Sequence, residues 1–523
     1  MTVQIFPDVR GLVVEADNPA MILQAVPTAF PLSGRLVGMP HTVEEVARLA
    51  LAGIQAPSPI EYYYRWPRER TRVPLPFVHQ IATAGFLATN PHAYCHNGIG
   101  TGKSLAAAWA ADYLIEVGIA HRVLIAAPLS TLERVWGDLF YMHFTHRTFA
   151  VLHGQADRRC KLLAQPRDFY IINHDGIGTI QRELEARDDI DIVIIDEIAV
   201  YRNRQTAKWK AIDRVIYPPK RKSKPWVWGL TATPIPNSPE DAYGQCRLVT
   251  PKTVPQYFTQ WRNLVMDHQS IYVWTPRPES TKIVYDVMRP SVRYKREDCL
   301  DLPPVMYQTR DVELSSEQQR HYKEIMRELF TEVKGGRITA INEGVKLSKL
   351  LQIACGCVYD TNGAPHEIDA GNRVETLMEL IEQVGEKVIV FVPFTAVTSM
   401  LARELNKHWR FAIVTGDTPV KERNEIFTEF QNPASDLDIL AHPGCMSHGL
   451  TLTEASTIIW YAPIASNDIY EQACGRITRA GQKYTANIIN LAGSAVERRM
   501  YKRLEERQKS QGLLLEMIER NEQ

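Results

Sequence analysis

Short runs of apolar, largely β-branched residues recur along the chain, bounded by polar turns and separated by stretches of helical character. One set comprises RVLIAAP (122–128), DFYIINH (168–174), DIVIIDE (191–197) and PWVWGLTAT (225–233). A second comprises KVIVFVP (387–393), RFAIVTG (410–416), LDILAHP (437–443), STIIWYAP (456–463) and ANIINLAG (486–493). Continuous apolar strands alternating with helices predict parallel sheets covered on both faces. Two such sets, with no clear strand series between them, predict an α/β fold of two parallel-sheet lobes in tandem. The first lobe is expected over 76–250 and the second over 303–508. Residues 251–302 are expected to link them with helical insertions, and 509–523 to end the chain as a charged helix packed on the second lobe. Residues 1–75 read as a small separate α+β unit, possessing a helix that opens with a capping box, Thr42 followed by Glu45.

Composition changes this picture little. Lys plus Arg and Asp plus Glu both number 60 in 523 residues, so no global field attracts a polyanion and any nucleic-acid contact must come from a local basic patch. The eight cysteines form no C-x-x-C pair, so zinc-ligand spacing is absent and buried free thiols in a reducing compartment are expected. No basic-then-apolar leader opens the sequence, and no apolar run has the length of a membrane span, so a soluble, intracellular protein without membrane contact is expected.

The chemistry begins at HNGIGTGKS (96–104). Gly98, Gly100 and Gly102, with Ile99 and Thr101 between them, allow successive backbone N–H groups to converge on an anion. Lys103 supplies a point charge for the terminal phosphates, and the Ser104 hydroxyl suits Mg²⁺. The helix that starts at once adds its N-terminal dipole. Asn97 stands where the strict G-x-x-x-x-G-K-[ST] pattern has its first glycine. A strand ending in Asp196-Glu197 supplies the second part: the aspartate for the Mg²⁺ shell and the glutamate to orient and deprotonate water. In GLTATP (229–234), Thr231 and Thr233 can link that acidic site to another surface. In QACGRITRAGQ (472–482), Arg476 and Arg479 are three apart and expected on one helix face, placed to stabilise charge on a transferring phosphoryl group.

Taken in order, these residues resemble the superfamily-two helicase motor, most closely its Swi/Snf-like branch. The match runs through FVHQIATAGFL (a Q-type motif at Gln80), NGIGTGKS (motif I), APLSTLERVW (Ia), IINHDGI (Ib), DEIAVYRN (II) and GLTATPIPN (III). It continues through KVIVFVPFT (IV), SHGLTLTEAS (V, with Gly449) and QACGRITRAGQ (VI), covering roughly 76–508. This resemblance implies RecA-like lobes that bind ATP and Mg²⁺ in a cleft, Gln80 at the adenine, Gln472 beside the arginines, and movement along nucleic acid as the cleft closes and reopens. Its motif I does not require a glycine at Asn97. Four positions depart from the pattern: Ala199 in motif II, Thr451 in motif V, and Gly475 with Thr478 in motif VI. The shortness of the chain resembles compact bacterial or bacteriophage members, which implies the cytoplasm of a bacterial or phage-infected cell.

For nucleic acid, Ser130 and Glu133 predict a capping box at a helix start that can receive a phosphate, with Thr131 beside it. Residues 202–226 carry nine Lys or Arg and one acid with aromatics interleaved, making Lys220, Arg221 and Lys222 candidates for backbone contact. The same pattern also fits a solvated basic surface. The expected function is an ATP-dependent DNA helicase or duplex translocase acting on duplex, forked or junction DNA in replication, recombination or repair. Single-stranded DNA or RNA as the track, and a non-catalytic clamp built on a motor fold, are the alternatives.

Overall fold

The structure, a computed structural model, describes residues 2–67, 75–219, 221, 223–270, 273–299, 302–328, 330–333, 336–339, 343–446, 451–479 and 481–519. The chain divides into two compact units: residues 1–299 together with 511–523, and residues 300–510.

The first unit opens with a four-stranded antiparallel sheet of β1 (Thr2–Phe6), β2 (Gly11–Glu15), β3 (Phe30–Pro31) and β4 (Leu36–Pro40), in the order β1-β2-β4-β3. Leu12 and Val14 alternate inward on β2 and join Ile22, Val37, Met39, Val46 and Leu49 in a core of their own. The capping box expected at Thr42 is not made. The Thr42 hydroxyl donates to the Glu45 carboxylate, which is buried and also takes the Thr28 hydroxyl at 2.9 Å, so it is Glu45 rather than a backbone amide that claims Thr42.

The main sheet of this unit has seven strands: β5 (His92–Cys95), β6 (Arg122–Ala127), β7 (Phe149–Leu152), β8 (Phe169–Asn173), β9 (Ile190–Asp196), β10 (Trp226–Leu230) and β13 (Ser291–Val292). Their order is β13-β5-β10-β9-β6-β8-β7, and every neighbouring pair is parallel. The stretch expected as a linker belongs to this unit instead. It forms a hairpin of β11 (Met266–Ser270) and β12 (Val273–Pro276), then β13 at the sheet edge. Its apolar residues Trp261, Val265, Val284 and Met288 are buried in one cluster with Val193, Ile195 and Val227 of the central strands, which is why the stretch does not run free.

The second unit is built on β14 (Val305–Asp311), two hairpins of β15 (Phe330–Val333) with β16 (Gly336–Thr339) and β17 (Cys357–Tyr359) with β18 (Pro365–Glu367), and the strands β19 (Val388–Phe391), β20 (Phe411–Val414), β21 (Asp438–Ala441), β22 (Thr457–Trp460) and β23 (Ala486–Ala492). The six-stranded sheet runs β14-β23-β22-β19-β21-β20, again parallel throughout. The Arg373 guanidinium lies fully buried here. It donates to the Glu497 carboxylate at 2.6 Å and to the carbonyls of Ala354 and Leu491 at 3.2 Å. The final helix, Ala495–Glu519, begins in this unit, but its end does not stay there as expected. Residues 511–523 group with the first unit, where Leu514, Leu515 and Ile518 are buried in that unit's core.

Candidate nucleotide site

In an open parallel sheet, ligands meet the loops at the carboxyl ends of the strands. Strand order decides which loops meet: β10 lies between β5 and β9, so the loop after β5, the acids closing β9 and the threonines after β10 converge. All three segments of this cluster lie in the first unit.

The loop after β5 is shaped by glycine. Gly100 and Gly102 both have φ near +82°, a conformation that side chains disfavour. A Cβ on Gly102 would stand 2.1 Å from Gln80 Nε2, and one on Gly98 would stand 2.9 Å from the Arg296 backbone nitrogen. Ile99 is half-buried, Gly100 is exposed, and the buried Thr101 hydroxyl donates to the Gly98 carbonyl at 2.9 Å. Gly102 caps the helix Lys103–Glu116, placing Ser104 in its first turn. The Lys103 ammonium donates to the carbonyls of Asn97 and Gly98 at 2.9 and 3.1 Å, across the mouth of the loop.

Asn97 braces the loop. Its Nδ2 donates to Thr83 Oγ1 at 2.8 Å, and its Oδ1 accepts from the Tyr294 amide at 2.9 Å. Gln80 supports the loop from the same side: Nε2 donates to the Thr101 carbonyl at 3.1 Å, and Oε1 accepts from the Phe77 amide at 3.0 Å. Gln80, expected at the adenine, is therefore placed against the back of the loop.

Asp196 and Glu197 end β9. Asp196 Oδ2 accepts from the indole Nε1 of Trp136 at 2.9 Å. Burial pushes the Asp196 pKa up, and the Trp136 hydrogen bond and the Lys103 charge oppose that shift. Glu197 adopts φ +55°, a left-handed conformation that costs about 1–3 kcal/mol in a residue with a side chain. Its Oε2 accepts from Thr231 Oγ1 at 3.1 Å, and Thr231 Oγ1 in turn accepts from the Thr233 amide at 3.1 Å. Thr231 thus meets Glu197, and Thr233 is tied to Thr231 through its own amide. His96 lies beneath the loop, fully buried, and burial lowers its imidazole to about 3.

The residues present fit a magnesium nucleotide. Gly98 and Gly102 leave no room for side chains in the loop, and the half-buried Asp196 carboxylate beside Lys103 is a donor suited to a hard cation. Ser104 and Asp196 are the residues that would hold the ion.

Arg476 and Arg479 are not on a helix face: the helix Asn467–Cys474 stops at Gly475, and both arginines follow in turns. Arg476 is buried. Arg479 Nη1 donates to Thr451 Oγ1 at 3.3 Å, and burial lowers its guanidinium to about 10. Gln472 is buried on that helix and donates to Asp468 at 2.8 Å. Gly449 lies outside the described residues, as do Lys220 and Lys222. Arg221 turns inward rather than onto a basic face, its guanidinium donating to the Ile190 carbonyl and facing Asp191. The capping box of Ser130 and Glu133 is absent. Ser130 sits exposed in a 3₁₀ turn, Thr131 Oγ1 donates back to the Pro128 carbonyl at 2.9 Å, and a π-helical turn, Leu132–Gly137, follows. The widened π turn carries Trp136 to Asp196. The sequence marks Trp136 only as the last letter of APLSTLERVW, and nothing in its spacing points to a carboxylate sixty residues on.

The SNF2-related domain matches residues 44–356, more than half of the chain, and the helicase conserved C-terminal domain matches residues 372–481. The chain belongs to the SNF2-related family. It is a nucleic-acid-dependent ATPase of helicase type and uses ATP. Protein p41 of Acyrthosiphon pisum secondary endosymbiont phage 1 is 24% identical over 475 residues, covering 86% of this SNF2-related chain and 100% of p41. The SWI/SNF-related matrix-associated actin-dependent regulator of chromatin subfamily A-like protein 1 of Xenopus laevis is 23% identical over 404 residues, 75% of this chain but 38% of the frog protein. Among solved structures, the SWI2/SNF2 ATPase core of Sulfolobus solfataricus in complex with double-stranded DNA is 21% identical, with TM-score 0.41 over 82% of this chain and 90% of that one. Among the described residues, no helix is long and apolar enough to cross a membrane.

Proposed function

We propose that this SNF2-related chain is an ATP-driven DNA motor that couples hydrolysis to movement on, or remodelling of, duplex, forked or junction DNA. The observation that supports it is the convergence of Lys103, Asp196, Glu197 and Thr231 at the ends of three adjacent strands. Bound Mg²⁺ and ATP would supply a metal-shielded phosphoanhydride. The chain's own residues do the rest. The loop amides and Lys103 bind the phosphates, Ser104 and Asp196 hold the ion, and Glu197 takes a proton from water. The Thr231 hydroxyl holds Glu197 in its strained conformation, which reports the state of the acidic pair to the Thr231–Thr233 turn. Arg476 and Arg479 are proposed to stabilise the charge that develops on the transferring phosphoryl group. DNA is favoured over RNA because the frog relative is named a regulator of chromatin.

Phosphate release measured with single-stranded, duplex, forked and junction DNA, and with RNA, tests this reading. Duplex-containing DNA should stimulate turnover most, and stimulation by RNA alone would overturn the DNA assignment. Lys103→Ala should abolish turnover with every nucleic acid. Arg476→Ala should leave nucleotide binding nearly intact while slowing turnover by about 10³-fold.

A further inference from the structure

Trp136 stands apart from the residues that motif spacing selects, yet it makes the hydrogen bond that fixes Asp196. Its ring is fully buried in a cluster with Leu132, Phe140, Ile125 and Ile194, so the position of its N–H is set by packing on β6 and β9. An indole is a donor only and has one proton to give. In this enclosed position, that proton goes to Asp196 Oδ2 at 2.9 Å. Among the described residues, no other side chain donates to the carboxylate. A first-sphere carboxylate held by an outer partner presents its remaining oxygen to a metal in one orientation, and loss of such a partner weakens metal binding.

We propose that Trp136 is a positioning residue for the Mg²⁺–nucleotide site: its indole N–H locks the Asp196 carboxylate in the orientation that receives the ion. The π-helical turn Leu132–Gly137 is the device that brings the ring to this place, since a π turn advances each residue around the axis less than a regular turn does. The inference rests on the reading of Asp196 as the metal-holding acid of an ATPase.

Binding of a fluorescent N-methylanthraniloyl ATP, followed while Mg²⁺ is titrated, reads the effect without turnover. Two full-length variants are compared with the parent: Trp136→Phe, and one carrying 3-benzothienylalanine at position 136, which keeps the ring's shape and removes only the N–H. In both, the Mg²⁺ concentration for half-maximal nucleotide binding should rise about tenfold, while binding in EDTA should stay within about twofold of the parent. A half-saturation within about twofold of the parent in the benzothienyl variant overturns the proposal, even if Trp136→Phe shifts it, because packing alone would then explain the residue. A parent protein whose nucleotide binding ignores Mg²⁺ overturns the ATP-site reading instead, so the two failures are distinguishable.

Discussion

Asn97 shows why a phosphate loop can dispense with its first glycine. The buried amide ties the loop to the helix Val78–Thr89 through Thr83 and to the segment after β13 through Tyr294, and both bonds need a side chain. Asn97→Gly would restore the strict motif and remove both bonds. It should therefore lower stability by about 1–3 kcal/mol, read as a lower urea midpoint, with no gain in ATP turnover. His96, one residue earlier, makes stability depend on pH. Burial, with the Arg293 and Lys103 charges behind it, holds its imidazole at about 3 in the folded protein against 6.5 in the unfolded chain. Between those values the unfolded chain binds a proton that the folded one refuses, so this contribution is full above pH 6.5 and falls as pH drops. At pH 4.5 the loss should be about 2–3 kcal/mol, and His96→Asn should flatten the slope by about 1.4 kcal/mol per pH unit in denaturation series.

At the scale of elements, strand order does what no single motif can. Placing β10 between β5 and β9 sets Thr231 against Glu197, although 34 residues separate them along the chain. In the second unit, the corresponding work of tying elements together falls to Arg373, which joins the helix Gly371–Val384 to Glu497 in the first turn of the last helix. Removing one partner strands a buried charge, so Arg373→Met should destabilise this unit by about 3–5 kcal/mol in chemical denaturation. The sequence shows such elements unevenly. The runs that became β6, β9, β19 and β23 are long, apolar and buried, and their pattern alone defines them. β13 has two residues, and β14 reads VMYQTRD because it lies exposed at a sheet edge, so neither carries the apolar signature. The arginine pair spaced like one helix face fell in turns because Gly475 ends the helix before it, a stop set by local geometry. The phosphate loop and the acidic pair were legible because their chemistry fixes residue types at short spacing. Trp136 was not legible, because its partner is set only by the folded sheet.

Over the whole molecule, both lobes were expected from their strand sets, but the chain is apportioned differently from a simple linear reading. The stretch after residue 250 supplies a hairpin, an edge strand and core side chains to the first unit, so the division falls at residue 299. The small N-terminal sheet keeps its own core, and the SNF2-related match begins at residue 44, inside that segment. The first unit is also discontinuous in sequence, taking back the last 13 residues of the chain. Translation therefore finishes one half of the protein only after the other half has been made. A recombinant piece cut at 299 would show water the apolar socket that Leu514, Leu515 and Ile518 otherwise plug, so an excised ATP-binding half calls for the terminal peptide to be spliced back or supplied in trans.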